Sequence, residues 1–443
     1  MKPLLIQGGH IIDPSQGLDE TLDLLITEGK ISWLGKREIT SPEPDCDVLN
    51  ACGLIVCPGF IDLHCHLRQP GFEEKETIAT GSQAAAQGGF TTICCMPNTN
   101  PPLDSQAMIH YVKSITAKEG VVRVLPIGCV SKGRNGEELA EMDELASTGV
   151  IGYSDDGNPV FSSRLMRQAL DYSRISGLPI IDHCEDTTLT EGGLINEGVT
   201  STKLGLPGIP AAAEEIIVAR DLALAQLTGG RLHIAHVSTK GSVDLIRQAK
   251  ERGIQVTAEV TPHHLTLTEE RVIGYDTNAK VNPPLRTEQD IQALTWGLKE
   301  GVIDIIATDH APHTEADKLG EFALVPFGIS GLETALGSLM SLVYNGELDL
   351  ITLIAKLTHE PAKIIGDKYG RLGTLNIGTP ADVTIFHPNK EWVVDTRAFA
   401  SKGKNTPLAG LRLKGKVMAT ISQGKLVYKD ASIRLEEKAP LRG

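Results

Sequence analysis

The chain has 443 residues, of which 41% are apolar and only 4% aromatic, so a large core is available and it must be aliphatic. Charged residues make up 22% and the formal charge is −14, which excludes wholesale disorder and argues against nucleic acid or an anionic membrane surface as partner, while leaving room for a small anionic substrate met by a local cation. No run approaches the ~20 apolar residues of a membrane span, residues 1–14 hold too short an apolar run for a signal peptide, and the eight cysteines form no Cys-x-x-Cys pair, so they read as reduced, packed residues of a cytoplasmic protein.

In chain order, the first elements are β-like: Leu4–Ile12 and Leu22–Leu34, the latter crossing a turn at Glu28-Gly29-Lys30. Eight further β-like runs follow: Phe60–His66, Phe90–Asn98, Val121–Cys129, Val150–Asp156, Leu178–Cys184, Arg231–Ser238, Ile254–His263 and Val302–His310. Glycines stand just before most of them (Gly59, Gly89, Gly149, Gly177, Gly230, Gly253 and Gly301), as expected where a helix ends ahead of a strand. Amphipathic helical stretches lie between, at Ser82–Gln87, Glu138–Ser147, Leu165–Ser176, Ala211–Leu227, Ser242–Arg252 and Glu288–Glu300. Strands alternating with helices imply an α/β fold with a parallel sheet, and eight units imply a (β/α)8 TIM-like barrel. An open doubly wound sheet is the alternative, but no Gly-x-Gly-x-x-Gly turn follows the first strand. The chain ends with β-like runs at Ala381–His387, Glu391–Val394 and Val417–Tyr428, with a second turn at Gln423-Gly424-Lys425. Neither end has enough strands for a stable sheet alone. The expected organisation is therefore a barrel over residues 56–369 and one small β domain built from residues 1–55 and 370–443.

The polar residues collect where these strands end. His64 and His66 close the first, Asp155 and Asp156 the fourth, His183 the fifth, His236 the sixth and Asp309 the eighth. In a (β/α)8 barrel the C-terminal strand ends converge on one face, and imidazole with carboxylate is the usual ligand set for zinc and similar ions. In His64-Cys65-His66, residues i and i+2 share a face, so both imidazoles reach one centre while Cys65 points away. His233 and His236 are an odd number apart, so only one enters the site, and the position nearer the strand end favours His236. Of Asp155 and Asp156 only one can point inward, and the pattern does not choose. His263 and His264 after the seventh strand, and His310 beside Asp309, read as structural. Glu185 reads as a support for a neighbouring histidine rather than a catalytic group, Asp62 and Asp182 either orient neighbouring histidines or cap turns, and Glu73-Glu74-Lys75-Glu76 reads as a solvated helix start. The stretch 314–327 is either a mobile rim loop or an ordered one.

The motifs PGFIDLHCHLRQPG, GGFTTICCMPNTNPPLD, DHCED, HIAHVST, VNPPLR and ATDHAPH, with GTPADVTIF near the end, occur in this order along nearly the whole chain. Together they resemble the dihydroorotase family of the amidohydrolase superfamily, in its long bacterial form. The resemblance implies that His64, His66, Asp156, His183, His236 and Asp309 bind one or two Zn2+ ions per subunit. It implies that Asp309 is also the general base and acid. It implies that Arg68, Asn98 and His313 bind a substrate carboxylate, that Asn282 is a further substrate contact, and that the backbone at Phe327 and Gly328 meets the substrate ring. The implied reaction interconverts N-carbamoyl-L-aspartate and L-dihydroorotate in pyrimidine biosynthesis, with water activated by the metal attacking the cyclic amide. Hydantoinases, dihydropyrimidinases and allantoinases are similar too, but they bridge their metals with a carboxylated lysine on the fourth strand, and no lysine lies between Lys132 and Lys203. A third reading is a ligand-stripped structural partner of aspartate carbamoyltransferase, which the retained histidines argue against. A homodimer and an active complex with that transferase are both left open.

Overall fold

The computed structural model describes residues 2–36 and 46–436, so parts of both stretches assigned to the β domain (residues 1, 37–45 and 437–443) lie outside the described residues. Five strands open the chain: β1 Leu4–Asp13, β2 Leu18–Thr27, β3 Lys30–Gly35, β4 Asp47–Asn50 and β5 Ile55–Pro58. Three follow between helices, β6 Phe60–Cys65, β7 Phe90–Cys95 and β8 Arg123–Pro126, and then β9 Ile180–Asp182. A separate two-residue pair is made by β10 Ile195–Asn196 and β11 Gly208–Ile209. The remaining strands are β12 Leu232–Ile234, β13 Val256–Val260, β14 Ile305–Ile306, β15 Val383–Val393, β16 Arg412–Ser422, β17 Lys425–Lys429 and β18 Leu435–Glu436.

Both chain ends share one nine-stranded sheet, in the order β17-β16-β15-β5-β1-β2-β3, with β4 on β1 and β18 on β4. Two hairpins in it use the same device. Glu28-Gly29 and Gln423-Gly424 each adopt positive φ at both positions (52° and 78°, 51° and 77°), the two-residue turn whose twist matches that of the flanking strands. The turns pack on one another: a Cβ on Gly424 would sit 2.4 Å from Gly29 Cα, so glycine is required there by space as well as by conformation. Leu4, Ile6, Ile11, Leu24, Val56, Val383, Ile385 and Ile421 form the sheet's own core.

The middle of the chain is a succession of parallel pairings. β6 pairs β7 and β7 pairs β8. Gly128 bridges Tyr153, Tyr153 bridges Ile180, and β9, β12, β13 and β14 then pair in turn. His310 bridges back to Cys65, returning the series to its first strand. Ile61, Leu63, Cys94, Met96, Leu125, Ile127, Ile181 and Ile305 pack together from these strands, and a larger cluster joins the strands' other faces to the helices.

Several sequence expectations need correction. The strands are shorter than their apolar runs, and Val150–Asp156 pairs only through Tyr153. The expected strand to His263 stops at Val260 and turns into a helix, Pro262–Thr266, capped by Thr261. Pro262 lacks the N–H that a ladder needs and suits a first helical turn. The helices Gln106–Glu119, Ala335–Tyr344, Leu350–Leu357 and His359–Ile365 were not anticipated. Cys52 is exposed, unlike the other seven cysteines. Glu76 is fully buried rather than solvated, with His310, Ser401 and Thr80 against its carboxylate.

Phe386 of β15 lies 6.4 Å from Phe60 of β6, and Phe60 lies 5.7 Å from Phe90 of β7, so three rings join the nine-stranded sheet to the parallel strands. Phe386→Ala is expected to destabilise the protein by about 3–5 kcal/mol, measured by denaturant unfolding; a loss under about 1 kcal/mol would mean the two parts do not depend on this contact.

Candidate metal centre

β6 carries the first two ligand-type side chains, and an irregularity places them. Ile61 and Leu63 face the other parallel strands, so strict alternation would send His64 toward the helices with Phe60. The register with β7 shifts between Asp62 and Cys65, and beyond that shift His64 and His66 both point into the strand ends while Cys65 packs outward. A bulge redirects side chains in this way without breaking the pairing. Asp62, also fully buried, accepts from the Thr308 N–H (2.8 Å) and hydroxyl (2.6 Å) and from His64 N (3.3 Å), tying the first strand to the last.

The Asp156 carboxylate is the centre of the cluster. Its Oδ1 lies 3.4 Å from His64 Nε2, 3.5 Å from His236 Nε2 and 3.7 Å from His183 Nδ1, and its Oδ2 lies 3.4 Å from His66 Nε2. Asp309 Oδ1 is 3.4 Å from His64 Nε2 and 3.0 Å from His66 Nε2. The structure settles the choice left open by the pattern: Asp155 turns away and accepts from the N–H groups of Val130 and Ser131. His233 likewise faces elsewhere, bonded to Thr257 (2.8 Å) and Glu259 (3.1 Å). His264 bonds Thr261 and the Pro283 carbonyl, and His310 bonds Glu76 and Gly331. Both are thus structural, as read from the sequence, whereas the buried Nε2 of His263 makes no hydrogen bond.

His64 Nε2 and Asp156 Oδ1 are buried and make no hydrogen bond, although two or more ligand-type atoms surround each. Burial would lower the His64 pKa, but Asp156, Glu259 and Asp309 outweigh it and hold it well above the usual histidine range. Burial is likewise outweighed at His183, which Asp156 and Glu185 lift to about 10. A field that draws protons onto two buried imidazoles is one that a divalent cation would satisfy, so these residues fit a metal. His64, His66 and Asp309 form one group able to hold an ion, and His64, Asp156 and His236 another. A third group, Asp182, Cys184 and Asp221, already has the Arg220 guanidinium 2.7 Å from Asp221.

Two glutamates orient the imidazoles from behind. Glu259 Oε1 lies 2.6 Å from His64 Nδ1, and its other oxygen meets His233. Burial would raise this carboxyl, but His64 and His233 bring it down to about 2. Glu185 lies 2.8 Å from His183 Nε2 and accepts from Asn282 Nδ2 (3.0 Å). Glu185 was anticipated as a support; Glu259 was not, and its signal was a lone acid inside the apolar run of the seventh strand.

Above the cluster lies a cavity of about 210 Å3, lined by His66, Arg68, Asn98, Asp156, His183, His236, Asn282, Asp309, His313, Phe327 and Gly328 among others. Every site residue expected from the sequence is therefore at this cavity, except His64, which lies fully buried beside Asp156 and Asp309. Arg68 Nη2 is 3.5 Å from His313 Nε2, which is 2.8 Å from the Phe327 carbonyl. Burial, with Arg68 and Lys318 close by, lowers His313 to about 3, and its buried Nδ1 makes no hydrogen bond but lies 3.8 Å from Asp317 Oδ2. Asn98 Oδ1 is 2.9 Å from His66 Nδ1. Gly328 N–H is committed to the Lys280 carbonyl (2.9 Å), and a Cβ at Gly328 would come within 2.7 Å of Ala311 O and 3.0 Å of His313. Its absence of a side chain is what lets His313 stand there. Along the stretch 314–327 several carbonyls are held: Lys280 Nζ donates to those of Phe322, Ala323 and Val325, and Lys318 Nζ to that of Pro326 as well as to those of Thr277 and Lys280.

Three comparisons bear on this geometry. A family model described as "Dihydro-orotase-like" matches residues 53–242. The dihydroorotase of Thermoanaerobacter sp. (strain X514) is 52% identical over 427 residues, 96% of this chain and 97% of that protein. The dihydroorotase of Pelotomaculum thermopropionicum is 52% identical over 432 residues, covering 97% and 100%. Among solved structures, the L-hydantoinase of Arthrobacter aurescens superposes with a TM-score of 0.86 over 98% of both chains at 24% identity, a likeness of fold.

With the ligands' backing now placed, Glu259→Gln is expected to weaken divalent-metal binding by about 10–100-fold through loss of the charge behind His64. Chelator competition on the folded variant measures this; unchanged affinity would remove Glu259 from the metal's support.

Proposed function

The chain belongs to the dihydroorotase family, and on that premise we propose that it interconverts N-carbamoyl-L-aspartate and L-dihydroorotate in pyrimidine biosynthesis, using a divalent metal that we assign as zinc. The observation that carries the assignment is the pairing of a buried imidazole–carboxylate cluster with a cavity directly above it that holds one guanidinium, Arg68. We read the ring of parallel pairings as the (β/α)8 barrel of residues 56–369, and the nine-stranded sheet as the β domain of residues 1–55 and 370–443.

In this proposal His64, His66 and Asp309 hold one ion, and His183 and His236 hold a second where one is present, with Asp156 between the two groups. A bound zinc supplies Lewis acidity, lowering the pKa of water and polarising a carbonyl. The chain's own residues do the rest. Arg68, Asn98 and His313 bind the exocyclic carboxylate; the guanidinium, drawn down to about 10 by burial, is still charged at neutral pH. Asn282 and the Phe327–Gly328 backbone orient the ring. In ring opening, a C–O bond forms from water to the amide carbon and the ring C–N bond breaks. Asp309 takes the proton from the water and returns it to the leaving nitrogen. His64 and His66 outweigh burial and hold the Asp309 carboxyl below the usual range, which keeps it ionised and able to take a proton but does not strengthen it as a base.

The hydantoinase reading is weaker, because Asp156 stands where a carboxylated lysine would be required and Arg68 with His313 offers a carboxylate clamp that hydantoins do not need. The structural-partner reading is weaker because all four histidines are kept and brought together. No helix among the described residues is long and apolar enough to cross a membrane, and a cytoplasmic location remains our reading. Gel filtration, alone and with aspartate carbamoyltransferase, separates monomer, homodimer and the joint complex.

Asp309→Asn should cut turnover of L-dihydroorotate by about 100-fold or more. Arg68→Lys should raise KM about tenfold with metal content intact, the worth of one charge-assisted hydrogen bond. Near-normal kinetics in either variant would remove that role, and turnover of hydantoin without dihydroorotate would overturn the substrate assignment.

A further inference from the structure

Asn405 lies in the linker between β15 and β16, far in sequence from every residue discussed as a ligand or substrate contact, yet it is 3% exposed and packed against the cavity's rim. Its side-chain oxygen accepts from His313 N (2.9 Å) and from the Ser330 hydroxyl (2.9 Å). Its amide nitrogen donates to the carbonyls of Ala311 (3.0 Å) and Gly328 (3.0 Å). Both amide protons and both oxygen acceptor positions are thus used, the full capacity of the group. Its own carbonyl accepts from Ser330 N (2.8 Å).

The linker is itself held in place. A Cβ on Gly403 would meet Pro312 Cβ at 2.3 Å, so the two backbones are in close approach. Lys404 Nζ donates to the carbonyls of Phe399 and Ser401, and Ser401 donates to the buried Glu76. The amide therefore clips together two rim segments, 311–313 after β14 and 328–330, from a closely packed position outside both.

We propose that Asn405 is a positioning residue that sets the distance between His313 and Gly328, and so the width of the subsite for the substrate's carboxylate and ring. This rests on the dihydroorotase reading of the cavity. An aspartate in its place keeps shape and both accepted bonds but turns an anionic oxygen onto two carbonyls. A leucine removes all four bonds and leaves buried groups unpaired, which is costly.

The test uses the full-length, metal-loaded protein, with Asn405→Asp and Asn405→Leu compared to the unsubstituted chain and to Ser330→Ala, which removes one bond. The expected result for Asn405→Asp is a KM for L-dihydroorotate raised about tenfold, with kcat within about threefold, as loss of binding geometry requires. Ser330→Ala should shift KM less than threefold. Amide hydrogen exchange in peptides covering 311–330 should quicken about tenfold or more in Asn405→Asp while exchange in β1–β3 stays unchanged. Unchanged KM and unchanged exchange in 311–330 would overturn the proposal, as would an equal fall in kcat with KM constant. Should the unsubstituted protein fail to turn over dihydroorotate, the functional reading fails, and the exchange measurement still decides whether Asn405 holds the rim.

Discussion

The structure turns on a charge imbalance: buried carboxylates of Asp156, Asp309 and Glu259 stand around His64, whose Nε2 has no hydrogen-bond partner. Buried anions are costly unless paired or bound to metal. Here the carboxylates have imidazoles as company and pull their protons upward, at His64 and at His183 alike. A cation at this point is what brings the parts into balance. The donor atoms arrive from five separate strand ends, so their meeting requires the whole series of parallel pairings, including the bridge from His310 back to Cys65.

Bringing those atoms together bends the backbone. Arg68, His236 and Asp309 all have positive φ (62°, 31° and 45°), a region that costs non-glycine residues about 1–3 kcal/mol each. They account for three of the seven such residues among the described ones, and all three line the cavity. The strain is held by surrounding contacts: Glu259 behind His64, Thr308 bonded to Asp62 beside Asp309, and the rim fastened by Lys280, Lys318 and Asn405. The nine-stranded sheet has a part in this, because Asn405 is carried on the linker between two of its strands.

The cluster's imidazoles and carboxylates were legible in the sequence because they are ligand-type residues at the ends of apolar runs, and the position of a strand end is a coarse feature that periodicity captures. That only one of His233 and His236 enters followed from parity, and the choice of His236 from its place nearer the strand end. Choosing Asp156 over Asp155 did not, and needed either the family resemblance or the three-dimensional turn that aims Asp155 at residues 130 and 131. The β6 irregularity was hidden as well, although His64 reaches the centre because of it. Glu76 misled because it ends a charged run, Glu73-Glu74-Lys75, while its own contacts include His310 and Ser401, distant in the chain. Lys280 and Asn405 stayed invisible for a related reason. Each acts through backbone groups or through another side chain, and such partners leave no local pattern.

The most direct test of the central claim is reconstitution of the metal-free protein. Chelated protein is titrated with zinc while bound metal and ring opening of L-dihydroorotate are followed on the same samples. The account predicts that metal-free protein is folded and inactive, and that turnover rises in proportion to bound zinc until the sites are filled. Full turnover of dihydroorotate by protein shown to hold no metal would contradict it.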